Sequence, residues 1–436
     1  MNTNYFAEQF DRLAKDGNPG KLAGLRQRAF ASFNAMGIPT AKHEEWKYTR
    51  IGRQFEKNLE FARNFHAVPI NNKDVDLVRL PGHQQANELV FVNGHFSAGL
   101  SAIRSPELTV LPLEEAAASD SFAEIVSTHL GHSGQYLRDG INALSTAFLD
   151  GAAFVCLHNK ARLNLPLYIY HLANSRQGGL FTQPRSLIYL AAGSSMQVVE
   201  TFATQGEGES LLNHITEIVA EKDSRLEYYK IQNDGENASQ VSTTHIRQLG
   251  TSYTHSVVVS LNGQLVRNNL NVIFDAPGCE SHLFGLYCLH GQTHLDNHTV
   301  VDNGQPNCLS NELYKGIIDD EATGIFNGKI FVRKDAQKTN AYQSNKNILL
   351  SNHATINAKP QLEIFADDVK CSHGCTVGSL DEDALFYLRT RGVSRSSAKA
   401  LLLGAFAGDI LVNIHLEPLR HHVQQLIAQR LNIENL

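Results

Sequence analysis

From about Leu163 to Phe365 the chain is a succession of β-type segments with no helical pattern between them. That feature constrains the fold more than any other. Ser186 to Ala191, Gln197 to Ala203, Glu217 to Ala220, Arg225 to Gln232, Thr251 to Ser260 and Asn269 to Phe274 are examples. They are short, roughly five to eight residues, and many alternate apolar with polar, which points to a sandwich, a barrel or a solenoid. About 200 residues of such strands is large for one sandwich, which favours the solenoid. The Asn-rich positions Asn262, Asn268, Asn269 and Asn271 suit tight corners between rungs, because Asn tolerates left-handed backbone. No strict repeat period is visible.

The flanks read differently. Lys21 to Met36 places Leu22, Leu25, Ala29, Phe33 and Met36 on one helical face, closed by Gly37 and Pro39. KHEEWKYTR, Lys42 to Arg50, holds the only Trp. Its charge-aromatic mix fits either a recognition surface or an ordinary amphipathic segment. NELVFVNGHFS, Asn87 to Ser97, carries the Asn-Gly signal of a hairpin. A helix is expected over Asn142 to Leu149. Beyond Gly378 the pattern is helical again. Asp381 and Asp383 open a short helix with Leu385 and Leu388 on one face, stopped by Gly392. Ser394 caps a second through Phe406, and Pro418 starts a third with the stripe Leu419, Val423, Leu426 and Ile427. These terminal helices either close the solenoid end or dock a partner, with capping the simpler reading.

Composition narrows the function classes. The 436 residues are 42% apolar and 19% charged, with a net charge of −6. No basic field exists to draw in nucleic acid or an anionic membrane. No apolar run reaches the roughly 18 residues of a membrane span. Met1 to Lys15 has neither the apolar core of a secretory signal nor Arg-rich transit character. Six cysteines in a chain this long are no disulfide scaffold, so reduced thiols and a cytoplasmic location are expected.

The stretch from Glu363 to Gly392 concentrates the chemistry. Cys371, His373 and Cys375 stand at i, i+2 and i+4, on one face of a strand. Same-face neighbours on a straight strand lie roughly 7 Å apart, too far to share one metal unless Gly374 bends the backbone. A closed zinc site usually takes four ligands, and inert buried thiols are the plain alternative. The doublets Asp367-Asp368 and Asp319-Asp320 point to opposite faces of a strand and make no ready catalytic dyad. His290, His294 and His298 recur every four residues, but in a turn-like context without the Glu of a zinc protease motif, so satisfied histidines are favoured. No G-x-x-x-x-G-K-[ST] loop and no G-x-S-x-G elbow occurs.

ADDVKCSHGCTVG followed by DEDALFYLRTRG closely resembles the signature of the SufB and SufD family of iron–sulfur cluster assembly proteins. Glu312 to Asp320 (ELYKGIIDD), Phe326 to Ser351 and Lys359 to Ile364 (KPQLEI) resemble the same family. KHEEWKYTR and LVFVNG look like its SufD branch. The resemblance implies a mainly β fold: a right-handed parallel β-helix core flanked by mixed or helical N-terminal and helical C-terminal regions. The expected division is 1–160, 161–378 and 379–436. It implies a non-catalytic scaffold that pairs with SufB through the β-helix, or with itself when alone. The SufC ATPase would dock on the C-terminal helices, around Tyr387, Arg389, Leu401, Leu402 and Phe406. Cys371 and His373 match family positions near the subunit interface, where a transient iron–sulfur cluster forms. Cys375 stands where many relatives carry Ala and is read as an accessory thiol. No stably bound cofactor is implied for the isolated chain. Flavin has been linked to such complexes, although no flavin motif is visible here. A carbohydrate-active β-helix enzyme and a zinc-binding β-solenoid are the alternatives from other classes.

Overall fold

A computed structural model describes residues 3–16, 20–64 and 69–431. Met1 and Asn2 of the N-terminal stretch, and residues 432–436 of the C-terminal region, lie outside the described residues. The rest of that first stretch belongs to helix Thr3–Asp16.

The core is a parallel β-solenoid of two facing sheets. Successive strands alternate between them. Ser210–Ala220, Ala238–Gln248, Leu265–Phe274, His294–Asn303, Thr323–Val332 and Thr355–Ile364 follow one another in the first sheet. Ser195–Gln205, Arg225–Asn233, Tyr253–Asn262, Glu280–Leu289, Leu309–Ile318, Asn340–Leu349 and Lys370–Gly378 follow in the second. Each pairs in parallel with the strand one rung away. Residues facing inward form one apolar column, including Leu226, Val258, Leu283, Val272, Val301 and Phe326.

Rung length explains why no period could be read. One rung carries 26 residues (Ser239 to Leu265), another 29 (Leu265 to His294) and another 32 (Thr323 to Thr355). The corners absorb the difference, several through single left-handed residues such as Asp223, Asn307, Asp320 and Lys338.

Two sequence expectations are corrected. The strands run longer than the apolar segments implied, for example Ser210–Ala220 with 11 residues. Polar residues buried within them, Asn213, His214, Thr216 and Glu217, had masked the pattern. Asn268, Asn269 and Asn271 are not corners: they lie inside Leu265–Phe274, and Asn262 ends Tyr253–Asn262. Asn268 Nδ2 donates to Asn297 Oδ1 on the next rung (3.0 Å) and to Ser260 Oγ (3.1 Å), a side-chain ladder that turns do not offer.

The flanking elements follow their local signals. Helix Ala23–Met36 ends at Gly37, whose φ is 66°. The hairpin Asn87–Val92 and His95–Phe96 turns at Asn93 (φ 51°) and Gly94 (φ 87°), as an Asn-Gly type I′ turn requires. Asp381 and Ser394 cap helices Glu382–Thr390 and Arg395–Leu411 with their side chains, and Pro418 stands in the first turn of Glu417–Arg430. The last two helices do not close the solenoid end. They lie on the outer face of the second sheet, where Leu403, Ala407, Ile410, Leu419, Val423 and Ile427 bury against Val257, Val259, Leu286 and Ile317. Those strand positions point out of the solenoid and are apolar, so the helices follow the apolar surface.

KHEEWKYTR is a clamp on the outer face of the first sheet. The Arg267 guanidinium lies 3.9 Å from the centroid of the Trp46 ring. Arg267 also donates to Asp296 Oδ2 (2.9 Å) and to the Glu45 carbonyl. Asp296 further accepts from Thr49 and pairs with His298 Nε2 at 2.9 Å. Glu45 pairs with Lys329 and Glu44 with Lys359. The segment therefore spans four successive rungs and reaches the edge strand Thr355–Ile364. His294 (3.0 Å from Thr49 Oγ1) and His298 are absorbed in this clamp and form no metal cluster with His290.

Candidate functional site at the last rung

Among the described residues nothing covers the last rung of the solenoid. Strands Thr355–Ile364 and Lys370–Gly378 each have a ladder partner on one side only. Large apolar residues around them are exposed: Tyr342 (41%), Ile364 (40%), Phe365 (59%) and Val377 (50%). An unpaired edge ringed by exposed apolar side chains is a pairing surface.

Cys371, His373 and Cys375 all lie on this edge strand. They are in register with Ala341, Gln343 and Asn345, whose side chains are buried within the solenoid. The alternation of a strand thus turns all three toward the interior column, but no further rung covers them. Cys371 is half-buried against the end of the core; His373 and Cys375 are exposed. Gly374 adds no bend: its φ is not left-handed and the ladder passes through it without a register shift. The roughly 7 Å spacing therefore stands, and two of these side chains do not close on one metal ion unaided. Burial raises both thiols above their ordinary range, at Cys371 partly offset by a backbone hydrogen bond from Ala341. They rest as thiols until a positive charge arrives.

Behind this face the interior turns polar. Gln343 Nε2 donates to Glu312 Oε2 at 2.8 Å. Gly328 makes room, since a Cβ there would stand 2.2 Å from Gln343 Nε2. Tyr287 Oη donates to Asn347, Asn345 Nδ2 reaches Tyr287 Oη (3.2 Å), and Asn347 Nδ2 donates to Asn345 Oδ1 (2.6 Å). Cys375 Sγ lies 3.8 Å from Asn345 Oδ1. A Cβ at Gly316 would meet the Tyr287 ring at 2.2 Å, so that glycine lets the ring cross the interior. Glu312 is enclosed, and burial pushes its carboxyl up to about 7. Sequence reasoning missed Glu312, Gln343, Asn345 and Asn347. Their signal was the i, i+2, i+4 spacing of the last three, the same spacing as Cys371, His373 and Cys375.

The other chemical candidates fall elsewhere. Asp320, Asp367 and Asp368 are exposed and Asp319 is half-buried, all of them in the connections between strands. His171, Glu200 and His214 form a buried cluster deep in the solenoid. Glu200 accepts from His171 Nε2 (2.8 Å), His214 Nε2 (2.9 Å), Thr216 Oγ1 (3.1 Å) and Tyr228. Burial would raise this carboxyl, but the imidazoles hold it well below its ordinary value. Four donors satisfy Glu200 itself, while the Nδ1 atoms of His171 and His214 are buried without a hydrogen-bond partner.

On the C-terminal helices, Tyr387 (58%), Phe386 (67%) and Leu401 (54%) are exposed, as is Arg389. Leu402 is half-buried. Phe406 turns toward the solenoid, where Lys315 Nζ lies 4.3 Å from its ring centroid and donates to its carbonyl and to Asp409. Among the described residues no helix is long and apolar enough to cross a membrane.

Two family profiles match nearly the whole chain. The SufBD protein N-terminal region matches residues 2–169, and the SufBD core domain of SUF system FeS cluster assembly matches residues 171–406. Among curated relatives, an iron–sulfur cluster assembly SufBD family protein of Synechocystis is 29% identical over 94% of this chain and 91% of its own length. The iron–sulfur cluster assembly protein SufD of Escherichia coli is 28% identical over 91% of this chain and 90% of its own. The chloroplastic protein ABCI7 of Arabidopsis thaliana is 33% identical over 53% of this chain and 49% of its own.

Proposed function

The chain belongs to the SufBD family of the SUF iron–sulfur cluster assembly system, and we propose that within it this protein is the SufD-type subunit, a scaffold without catalytic turnover of its own. In this reading it pairs with SufB end to end, and SufC docks on the C-terminal helices. The observation that carries the proposal is the bare last rung: Cys371 and His373 face along the interior column with none of the described residues over them. The similarity to a SufD over most of both chains supports the same reading.

The chemistry follows from the spacing. One strand offering a thiol and an imidazole roughly 7 Å apart leaves a metal short of ligands, and a second chain laid against the open edge completes the set. Thiolates suit the iron of a nascent cluster, and a neutral imidazole fills a remaining position. Cys375 is an accessory thiol.

SufC would cover Phe386, Tyr387 and Leu401. The Lys315 contacts with Phe406 and Asp409 join helix Arg395–Leu411 to strand Leu309–Ile318. That strand lies one strand in from the partner of the edge strand. Movement of SufC subunits on binding ATP would thereby reach the end rung. The chain itself has no phosphate loop, so the ATPase site lies in SufC.

Co-purification with SufB and SufC, followed by anaerobic reconstitution with iron and sulfide, tests the assignment. A ternary complex that develops cluster absorption is expected. A chain that captures neither partner contradicts it. Deleting Ser394 to Leu436 should abolish SufC capture, and retention of SufC would remove that docking assignment.

A further inference from the structure

Two thiols outside the end-rung site face each other across one rung gap. Cys279 and Cys308 each immediately precede a strand, Glu280–Leu289 and Leu309–Ile318. The Leu309 N–H donates to the Cys279 carbonyl at 2.9 Å, so the two residues stack one rung apart at the same corner. Backbones of neighbouring rungs stand roughly 4.8 Å apart. That falls inside the Cα separation of roughly 4.4–6.8 Å that a disulfide spans. Their sulfurs converge on one acceptor: Cys279 Sγ is 3.1 Å and Cys308 Sγ 3.6 Å from the Ala276 carbonyl oxygen. Both are free and 1% exposed.

We propose that Cys279 and Cys308 are a dithiol that a hydroperoxide oxidises to a disulfide joining two adjacent rungs.

The local hydrogen bonds assign the roles. A hydrogen bond shared with the Cys279 side chain, and the backbone N–H groups of Cys279 and Gly278, lower Cys308 below the ordinary thiol range despite its burial. Cys279 is raised by that same shared hydrogen bond and by burial. The backbone N–H groups of Cys279 and Gly278 favour negative charge on Cys308, so in the proposed step Cys308 is the nucleophile and Cys279 the resolving thiol. The Cys308 thiolate attacks one oxygen of hydrogen peroxide: an S–O bond forms, the O–O bond breaks, and the departing hydroxide takes a proton to become water. Cys279 sulfur then attacks the sulfenic sulfur. The S–S bond forms, the S–O bond breaks, and the leaving hydroxide takes the Cys279 thiol proton. Two thiols lose two electrons and two protons, and peroxide becomes two waters.

The corner lies one residue beneath the surface, because Pro277 and Asn307 are exposed. Oxidation by a small neutral peroxide therefore requires only that the turn at Pro277 or Asn307 opens. Cys371 and Cys375, four residues apart on a strand, stand roughly 13 Å apart and cannot bridge within the chain.

Intact mass and peptide mapping of the full chain after hydrogen peroxide treatment test the proposal. The expected result is loss of two hydrogen atoms per chain, a crosslinked peptide pair containing Cys279 and Cys308, and reversal by dithiothreitol. In Cys279→Ser the mass loss should vanish and dimedone should trap a sulfenic acid at Cys308. In Cys308→Ser no adduct should form at Cys279. No bridge in the folded wild-type chain overturns the proposal, as does a bridge between other cysteines. An adduct at Cys279 in Cys308→Ser overturns the assigned roles. The wild-type map needs no variant to fold.

Discussion

Gln343 donates a 2.8 Å hydrogen bond to Glu312, and Gln343 is itself the register partner of His373 on the edge strand. The carboxyl one rung further in is thus tied, through a single amide, to the strand that carries the candidate ligands. Burial raises the Glu312 pKa to about 7. A carboxyl raised on folding holds its proton longer in the native state than in the unfolded one, so stability falls as pH rises from about 4.5 to about 7. Glu312→Gln should remove that slope and stabilise the chain at pH 8 by at most on the order of 3 kcal/mol. Denaturation midpoints of both proteins at pH 5 and pH 8 measure it. Equal differences at the two pH values contradict it.

Buried histidines act in the opposite direction. His132 Nδ1 lies 2.8 Å from His245 Nε2 where the N-terminal region meets the first sheet. Burial depresses His132 to about 4 and His245 to about 3, and His214 and His255 to about 4. A depressed imidazole supplies stability above its unfolded pKa of about 6.5, and that stability is lost as pH falls toward the folded value. Amide-exchange protection factors, taken relative to the intrinsic rate at each pH, should fall between pH 7 and pH 5 more in His132–Gln135 and Ala238–Gln248 than in the end-rung strands. Uniform change across the chain would dismiss this account.

The clamp makes a sharper demand. Arg267→Ala leaves Asp296 buried without its guanidinium and Trp46 without the cation over its ring. Breaking a buried pair from one side costs about 3–5 kcal/mol. The fluorescence of Trp46, the only tryptophan, should shift to the red as water reaches the ring. Arg267→Lys should rescue it only in part, since a single ammonium cannot reproduce the guanidinium contacts to Asn269, Asp296 and the Glu45 carbonyl. Unchanged emission in Arg267→Ala would show that Trp46 is held by other contacts.

The open edge predicts separable effects. Val377 is half exposed on the last strand. Val377→Asp should weaken SufB capture at least tenfold and move the folding midpoint by no more than an ordinary surface change, about 0.5 kcal/mol. Capture at the wild-type level would place the interface elsewhere.

How much of this was legible depended on which residues face which way. The solenoid showed in the absence of helical spacing between strands, and Cys371, His373 and Cys375 showed through their alternation. The strands themselves were blurred because inward positions hold Glu200, Lys230, Asn268 and Asn297 where an apolar column would be expected. Outward positions such as Val257 and Val259 are apolar because helices cover them. Both substitutions erase the in–out contrast from which alternation is read. The clamp was unreadable for another reason: Glu45 and Lys329 are 284 residues apart, and no local spacing marks a contact that only the rung stacking creates.

The most direct test of the central claim is cluster assembly in the complex of this chain with SufB and SufC, comparing wild type with His373→Ala. Loss of the imidazole should lower the cluster's charge-transfer absorption while both partners still co-purify in unchanged amounts. Full absorption in the His373→Ala complex would contradict the role assigned to His373 in the nascent cluster.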